Sequence, residues 1–310
     1  MDTRPLGRSD LRLSQIALGT WGLTENSYGH VDAVRLRETL DTALERGITT
    51  FDCAPLWGDG ASERAVAEAL ERAGVQGVVI TRGGVRRVDG VLRRSFTQGA
   101  LVADAEESLR RLGRETIDLW LLHNPGLTAL RRDDWREAVH DLEASGKVRH
   151  WGIAIGEAEE ARIALSAGAQ AVCLTHNLLA PGMLKELLSD LEAHGAGVIV
   201  RSPLAYGLLG GHWQEGHTFA EDDHRSRRWD ASALRQRVRH VGVLRFLVGR
   251  GHPDLATAAI RFALTSRQVS TVAVGCRSPY QVSAAVAAPG TPIEDEDLRR
   301  LAELRTSAQF

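Results

Sequence analysis

The chain has 310 residues, 43% of them hydrophobic and 25% charged, and a formal net charge of −2. Such a composition can bury a large core and excludes a disordered or fibrous chain. The small net charge gives no field to recruit nucleic acid or an acidic membrane surface, and no apolar run approaches the roughly 18 residues a membrane span requires.

The N-terminal stretch PLGRSDLRLSQIALG reads as a short hairpin with Ser9 and Asp10 in its turn. Short β-branched and Leu-rich runs then recur as candidate strands at residues 15–19, 49–52, 77–81, 117–122, 148–155, 171–174, 197–201 and 270–274. Between them lie amphipathic helical patterns such as VDAVRLRETLDTALERG, SERAVAEALERAG and LVADAEESLRRLG, each closed by a glycine after its last turn. Runs such as LWLL and VIV are apolar throughout, which implies burial on both faces of a parallel sheet. Strict strand–helix alternation over eight units predicts an α/β fold, a (β/α)8 TIM barrel of one domain over residues 1–310. The hairpin would plug its bottom, and a long aperiodic loop, Ala205 to Asp230, would follow strand seven. Cys53, Cys173 and Cys276 are far apart without CxxC spacing, and the charged N-terminus lacks the apolar core of a secretory signal. A cytoplasmic location is the expectation.

In this fold chemistry sits at the C-terminal ends of the strands. Those ends are polar here: Asp52, Arg82, His123, His176 with Asn177, and Arg201 with Ser202. The stretch GITTFDCAPLWGDGASERAVAEAL resembles the signature of the aldo-keto reductase superfamily. The segments LHNPG, SPLAYGLLGG, DDHRSRRW and VGCRSPYQV extend that resemblance in the right order along nearly the whole chain.

The resemblance implies a catalytic tetrad of Asp, Tyr, Lys and His, matched here by Asp52, Trp57, Arg82 and His123. The acid-donating Tyr and its Lys are therefore replaced. An indole N–H can donate a hydrogen bond but is no general acid near neutral pH, and Arg stays charged where Lys can be tuned. Losing a positioned acid removes about 10² to 10⁴ in rate. Tyr28, in the loop after strand one, is a candidate replacement donor. The resemblance further implies an NADP(H) site: Ser202, Leu204 and Gly207 around the pyrophosphate, Tyr206 placed to stack on the nicotinamide ring, and Gly275, Arg277, Ser278 and Gln281 around the adenosine and 2′-phosphate. Its nicotinamide end is weakened, because Ala154, Ile155 and Cys173 stand where the family places the Ser, Asn and Gln that bond the carboxamide.

Three functions fit these residues. One is an NADP(H)-dependent reductase with an atypical proton donor, acting on a carbonyl, imine or activated alkene. Another is a non-redox acid/base enzyme, a dehydratase, lyase or cyclase, using Asp52, Arg82 and His123. The third is a non-catalytic binding protein that keeps Asp52 and Arg82 as a structural pair. A small-molecule substrate is the expected partner, and the sequence does not set an oligomeric state. Trp21, Trp57, Trp213 and Trp229 either frame the mouth or pin the long loop. His212, His217 and His224 lack metal-ligand spacing, so no metal site is expected, and RRVDGVLRRS reads by default as a solvated loop face, with contact to an anionic substrate as the alternative.

Overall fold

The computed structural model describes residues 1–25 and 27–306. The chain opens with two short antiparallel strands, β1 (Thr3–Pro5) and β2 (Arg12–Ser14). It then gives β3 (Ile16–Gly19), β4 (Thr50–Asp52) and β5 (Val78–Gly83) to a barrel. A second antiparallel pair, β6 (Val85–Val88) and β7 (Val91–Arg94), precedes the remaining barrel strands. These are β8 (Ile117–His123), β9 (Val148–Ala154), β10 (Ala171–Thr175), β11 (Gly197–Arg201) and β12 (Val269–Gly275). The barrel closes in the order β3-β4-β5-β8-β9-β10-β11-β12, with β12 returning in parallel to β3. All eight barrel strands lie within two residues of their predicted bounds.

Alternation along β8 explains why its sequence is apolar on both faces. Leu119 and Leu121 point into the barrel beside Ile80, Cys173 and Ile199, while Trp120 and Leu122 point out into the layer shared with the helices. Each such fully buried side chain contributes about 1.5–3 kcal/mol. The helices begin and end on local signals. Asp32 caps α1 (Ala33–Glu45) by accepting from Arg35 N at 2.9 Å. Gly74 and Gly113, both left-handed, terminate α2 (Ala61–Ala73) and α3 (Gln98–Leu112).

The N-terminal pair closes the barrel bottom, since Leu6 and Leu13 pack among the inward residues Ile80, Leu119 and Ile199. Its connection is wider than a turn at Ser9 and Asp10: Leu6 N bonds to Leu11 O at 2.8 Å, and Ser9 Oγ donates to Leu6 O. The wider loop buries Leu6 and Leu11 together and leaves Asp10 to pair with Arg149 and His150. Gly7 is required there. Its φ is +54°, and a Cβ would run into the backbone of Gly195 and Gly197.

A further difference lies after β5. The Arg-rich stretch expected as a loop is the β6–β7 hairpin, turned at Asp89 and Gly90, both with positive φ. This is the geometry an Asp-Gly pair favours between two strands.

Candidate active site

β4, β5 and β8 are neighbours, so their C-terminal ends bring Asp52, Arg82 and His123 together at the barrel mouth. They are only 4%, 2% and 8% exposed, which makes their electrostatics strong. Arg82 Nη2 forms an ion pair with Asp52, and Arg82 Nε donates to Cys53 O at 3.2 Å. Its guanidinium carbon lies 4.8 Å from the centre of the Trp57 ring. Burial pushes the Asp52 carboxyl up from its ordinary range, with Arg82 pulling against it. Burial also opposes the charge on Arg82, but Asp52 more than restores it, so the guanidinium stays charged.

His123 is held well below the ordinary histidine value by burial first, and then by the nearby charges of Arg82, Arg201 and Arg94. It is a neutral imidazole near neutral pH. Its Nδ1 is buried without a partner. Arg201, at the end of β11, donates from Nη2 to Ile155 O at 2.7 Å, while its Nε is also buried and unpaired.

Tyr28 is not brought to this group. Its ring packs on Trp21 and His224 with the Arg225 guanidinium 4.4 Å above it, and burial raises its pKa. Ala154 and Cys173 are fully buried in the barrel interior, and Ile155 is buried in the layer between strands and helices. Burial pushes the Cys173 thiol up, so it is a neutral apolar filler.

The opposite side of the mouth is built from the loops after β3, β11 and β12. Ser202, Ala205 and Tyr206 all have positive φ without being glycine, and Gly207 follows them in the same region. Strain of this kind persists only where the surroundings over-determine it. Asn177 supplies part of that constraint, donating to Ser202 O at 2.9 Å while accepting from Leu179 N and Ala180 N. Leu204 is half-buried against the main core. Ser278 caps the helix Pro279–Ala287 by accepting from Gln281 N, and the Gln281 side chain accepts from Arg277 N at 2.7 Å.

Arg277 is committed to backbone. Its Nη1 donates to Tyr28 O at 2.6 Å, and its Nη2 donates to Gly29 O at 2.7 Å and His30 O at 2.9 Å. The segment it holds is tied in turn to the long loop: His224 N donates to Ser27 O at 2.8 Å, and His30 N donates to Asp222. Arg225, paired with Asp223, carries the chain of contacts on to Tyr206 O. The three loops thus form a belt across the mouth. Arg225 also lies over Trp213 and Phe219, and Trp229 packs on Trp213, so these tryptophans pin the long loop while Trp21 and Trp57 stand at the mouth.

Sequence reasoning missed the roles of Asp223, Arg225 and Ser27, because side-chain bonds to distant backbone leave no motif. It also missed that the Ser62 and Glu63 of the signature are structural. Ser62 Oγ donates to Ala54 O, and buried Glu63 joins Thr81 to Arg111. Among the described residues no group of three or more His, Cys, Asp or Glu side chains is arranged to hold a metal ion. No helix among them is long and apolar enough to cross a membrane.

Comparison with known proteins bears on the same barrel. The chain is 26% identical over 303 residues to aldo-keto reductase YhdN of Bacillus subtilis (strain 168), covering 96% of this chain and 91% of that one. It is 27% identical to the NADH-specific methylglyoxal reductase of Escherichia coli (strain K12), covering 97% of each. Its fold superposes on the glycerol dehydrogenase AKR11B4 from Gluconobacter oxydans with a TM-score of 0.88 at 28% identity, over 100% of this chain and 97% of that one. The sequence profile of the aldo/keto reductase family matches residues 15–306, and the chain belongs to that family.

Proposed function

We propose that the chain is a nicotinamide-dependent oxidoreductase acting on a small carbonyl, imine or activated alkene, and that an activated carbonyl suits its site best. The observation that carries this reading is the buried Asp52–Arg82 pair beside a neutral His123 whose Nδ1 has no partner. The relatives named above are reductases and a dehydrogenase, which supports an oxidoreductase over other uses of the barrel.

His123 orients the substrate oxygen by donating one imidazole N–H. The fixed charge of Arg82, locked by Asp52, stabilises negative charge that develops on that oxygen. Asp52 is a positioning residue that holds the guanidinium in place. With Trp57 in the tyrosine position, the final proton reaches the oxygen from water, which an electron-poor carbonyl tolerates better than a simple ketone.

A bound nicotinamide dinucleotide would supply the hydride. Ser202, Leu204, Tyr206, Gly207, Gly275, Ser278 and Gln281 would hold it, and the strained backbone at Ser202, Ala205 and Tyr206 fits a ligand-bearing loop. The unpaired buried nitrogens of Arg201, His224 and Arg277 around the belt fit a polar occupant as well. Ala154, Ile155 and Cys173 offer the carboxamide no side-chain partner; three missing bonds at about 1 kcal/mol each amount to roughly a hundredfold in affinity. The preference for NADP(H) implied by the sequence rests on Arg277, whose guanidinium would have to leave three carbonyls to meet a 2′-phosphate.

Titrating the protein with NADPH and with NADH while following cofactor fluorescence tests this reading. Saturable binding of either is expected, and no binding at tens of micromolar, the order of magnitude a weakened site allows, sinks it. Trp57→Tyr combined with Arg82→Lys should then raise the rate of aldehyde reduction by about 10² or more. The same neutral imidazole also suits proton abstraction without redox chemistry. Under that second reading, His123→Ala abolishes turnover and no nicotinamide absorbance change accompanies it.

A further inference from the structure

The rim of the mouth carries an open cleft of about 550 Å³ lined by Asp59, Arg87, His224 and Arg227. Its walls belong to three separate segments, which follow the barrel strands β4, β5 and β11 in the chain. Asp59 stands two residues beyond Trp57, whose ring lies against Arg82. Arg87 is carried up from the end of β5 by β6. His224 packs on Trp21, just past the end of β3, with ring centres 4.7 Å apart.

The charges in the cleft are unequally engaged. The Arg227 guanidinium is exposed and has no hydrogen-bond or ion-pair partner among the described residues. Arg87 donates from Nη1 to Gly90 O at 2.8 Å, but its Nε is 3.9 Å from Asp59, longer than a charge-assisted hydrogen bond. The Asp59 side chain is 65% exposed and is turned mainly to water. Two guanidiniums against one weakly engaged carboxylate leave an excess of positive charge facing the opening. A cation entering there would meet two guanidiniums, whereas an anion gains both and competes only with Asp59.

We propose that this cleft is a subsite for a carboxylate or phosphate group on the substrate, gripped by Arg87 and Arg227 from opposite walls. The reacting carbonyl is then directed inward toward His123. The proposal rests on reading the chain as a carbonyl-acting oxidoreductase, and it names the substrate class of that site: small anionic carbonyl compounds.

A binding experiment without cofactor separates the subsite from that reading. Intrinsic tryptophan fluorescence is followed while the protein is titrated with phenylglyoxylate, with acetophenone as the neutral counterpart and inorganic phosphate as competitor. Phenylglyoxylate should bind at least about tenfold more tightly than acetophenone, and its affinity should fall as salt rises. Arg87→Met and Arg227→Met should each weaken it by about tenfold, and Asp59→Asn should tighten it by about threefold, with acetophenone unmoved. All three side chains lie at the surface, so the variants keep the fold. Displacement by phosphate marks a site that takes either anion, and failure to displace marks a carboxylate site.

Equal binding of the two ketones overturns the proposal, as does undiminished phenylglyoxylate affinity when Arg87→Met and Arg227→Met are combined, or no binding at all. Charge-selective binding by a protein that takes neither NADH nor NADPH keeps the subsite and removes the oxidoreductase reading. Nucleotide binding without charge selectivity does the reverse.

Discussion

The two sides of the barrel mouth are held by different physics. On the side of β4, β5 and β8, three polar side chains project from strand ends and are fixed by burial and one ion pair. On the side of β3, β11 and β12, order comes from a belt of loop contacts: Arg277 on three carbonyls, His224 on Ser27, and Arg225 on Tyr206. The first side is rigid because leaving it unpaired is costly. The second can open segment by segment, because each bond in it costs little to break and much of it lies near solvent.

The largest expected effect is on the rigid side. Arg82→Met leaves the Asp52 carboxylate buried alone and should cost about 3–5 kcal/mol of unfolding free energy in chemical denaturation. Asp52→Leu added to it should recover most of that loss. If the single variant is no less stable than the double, the pair does not anchor this side.

A pH series comes next. Burial lowers His176 to about 4, and His123 is lowered in the same direction. An unfolded histidine titrates near 6.5, so the unfolded chain binds more protons as pH falls below about 6.5. Stability is therefore full above that value and is lost on acidification through the window down to about 4, with at most about 3 kcal/mol from His176. Asp52, whose pKa is raised in the fold by burial, works in the opposite sense and blunts the loss. Denaturation midpoints across this range should fall less steeply in His176→Gln; an unchanged slope removes His176 as the cause.

The smallest global effect should come from the belt. Arg277→Met should lower global stability by no more than about 2 kcal/mol, yet it should speed limited proteolysis within residues 205–230 severalfold. Unchanged cleavage would mean that the aromatic packing of Arg225, Trp213 and Phe219 holds the belt without Arg277.

The same contrast explains what could be read in the sequence. The barrel strands were legible because inward Leu119 and Leu121 and outward Trp120 and Leu122 make one continuous apolar run, and the polar residue ending each run marks the mouth. The place of Asp52, Arg82 and His123 at the mouth followed from the strand ends, and their grouping from the resemblance to the family tetrad. The β6–β7 hairpin was hidden by its arginines, although Val-Asp-Gly-Val carries the turn signal. The belt was not legible. Arg277 bonds to carbonyls of residues nearly the whole chain away, and any sequence at Tyr28, Gly29 and His30 offers the same acceptors. Tyr28 therefore reads in the sequence as a candidate proton donor in the loop after strand one, while its ring is enclosed by Trp21, His224 and Arg225.

The most direct measurement is label transfer. The protein is mixed with nicotinamide dinucleotide deuterated at the transferring carbon, as NADH and as NADPH, together with phenylglyoxylate, and the product is analysed by mass spectrometry. Deuterium in the product alcohol is the expected result. Conversion of the substrate without label, or tight dinucleotide binding with no transfer to this or any other activated carbonyl, would contradict the assignment of hydride chemistry to the Asp52–Arg82–His123 site.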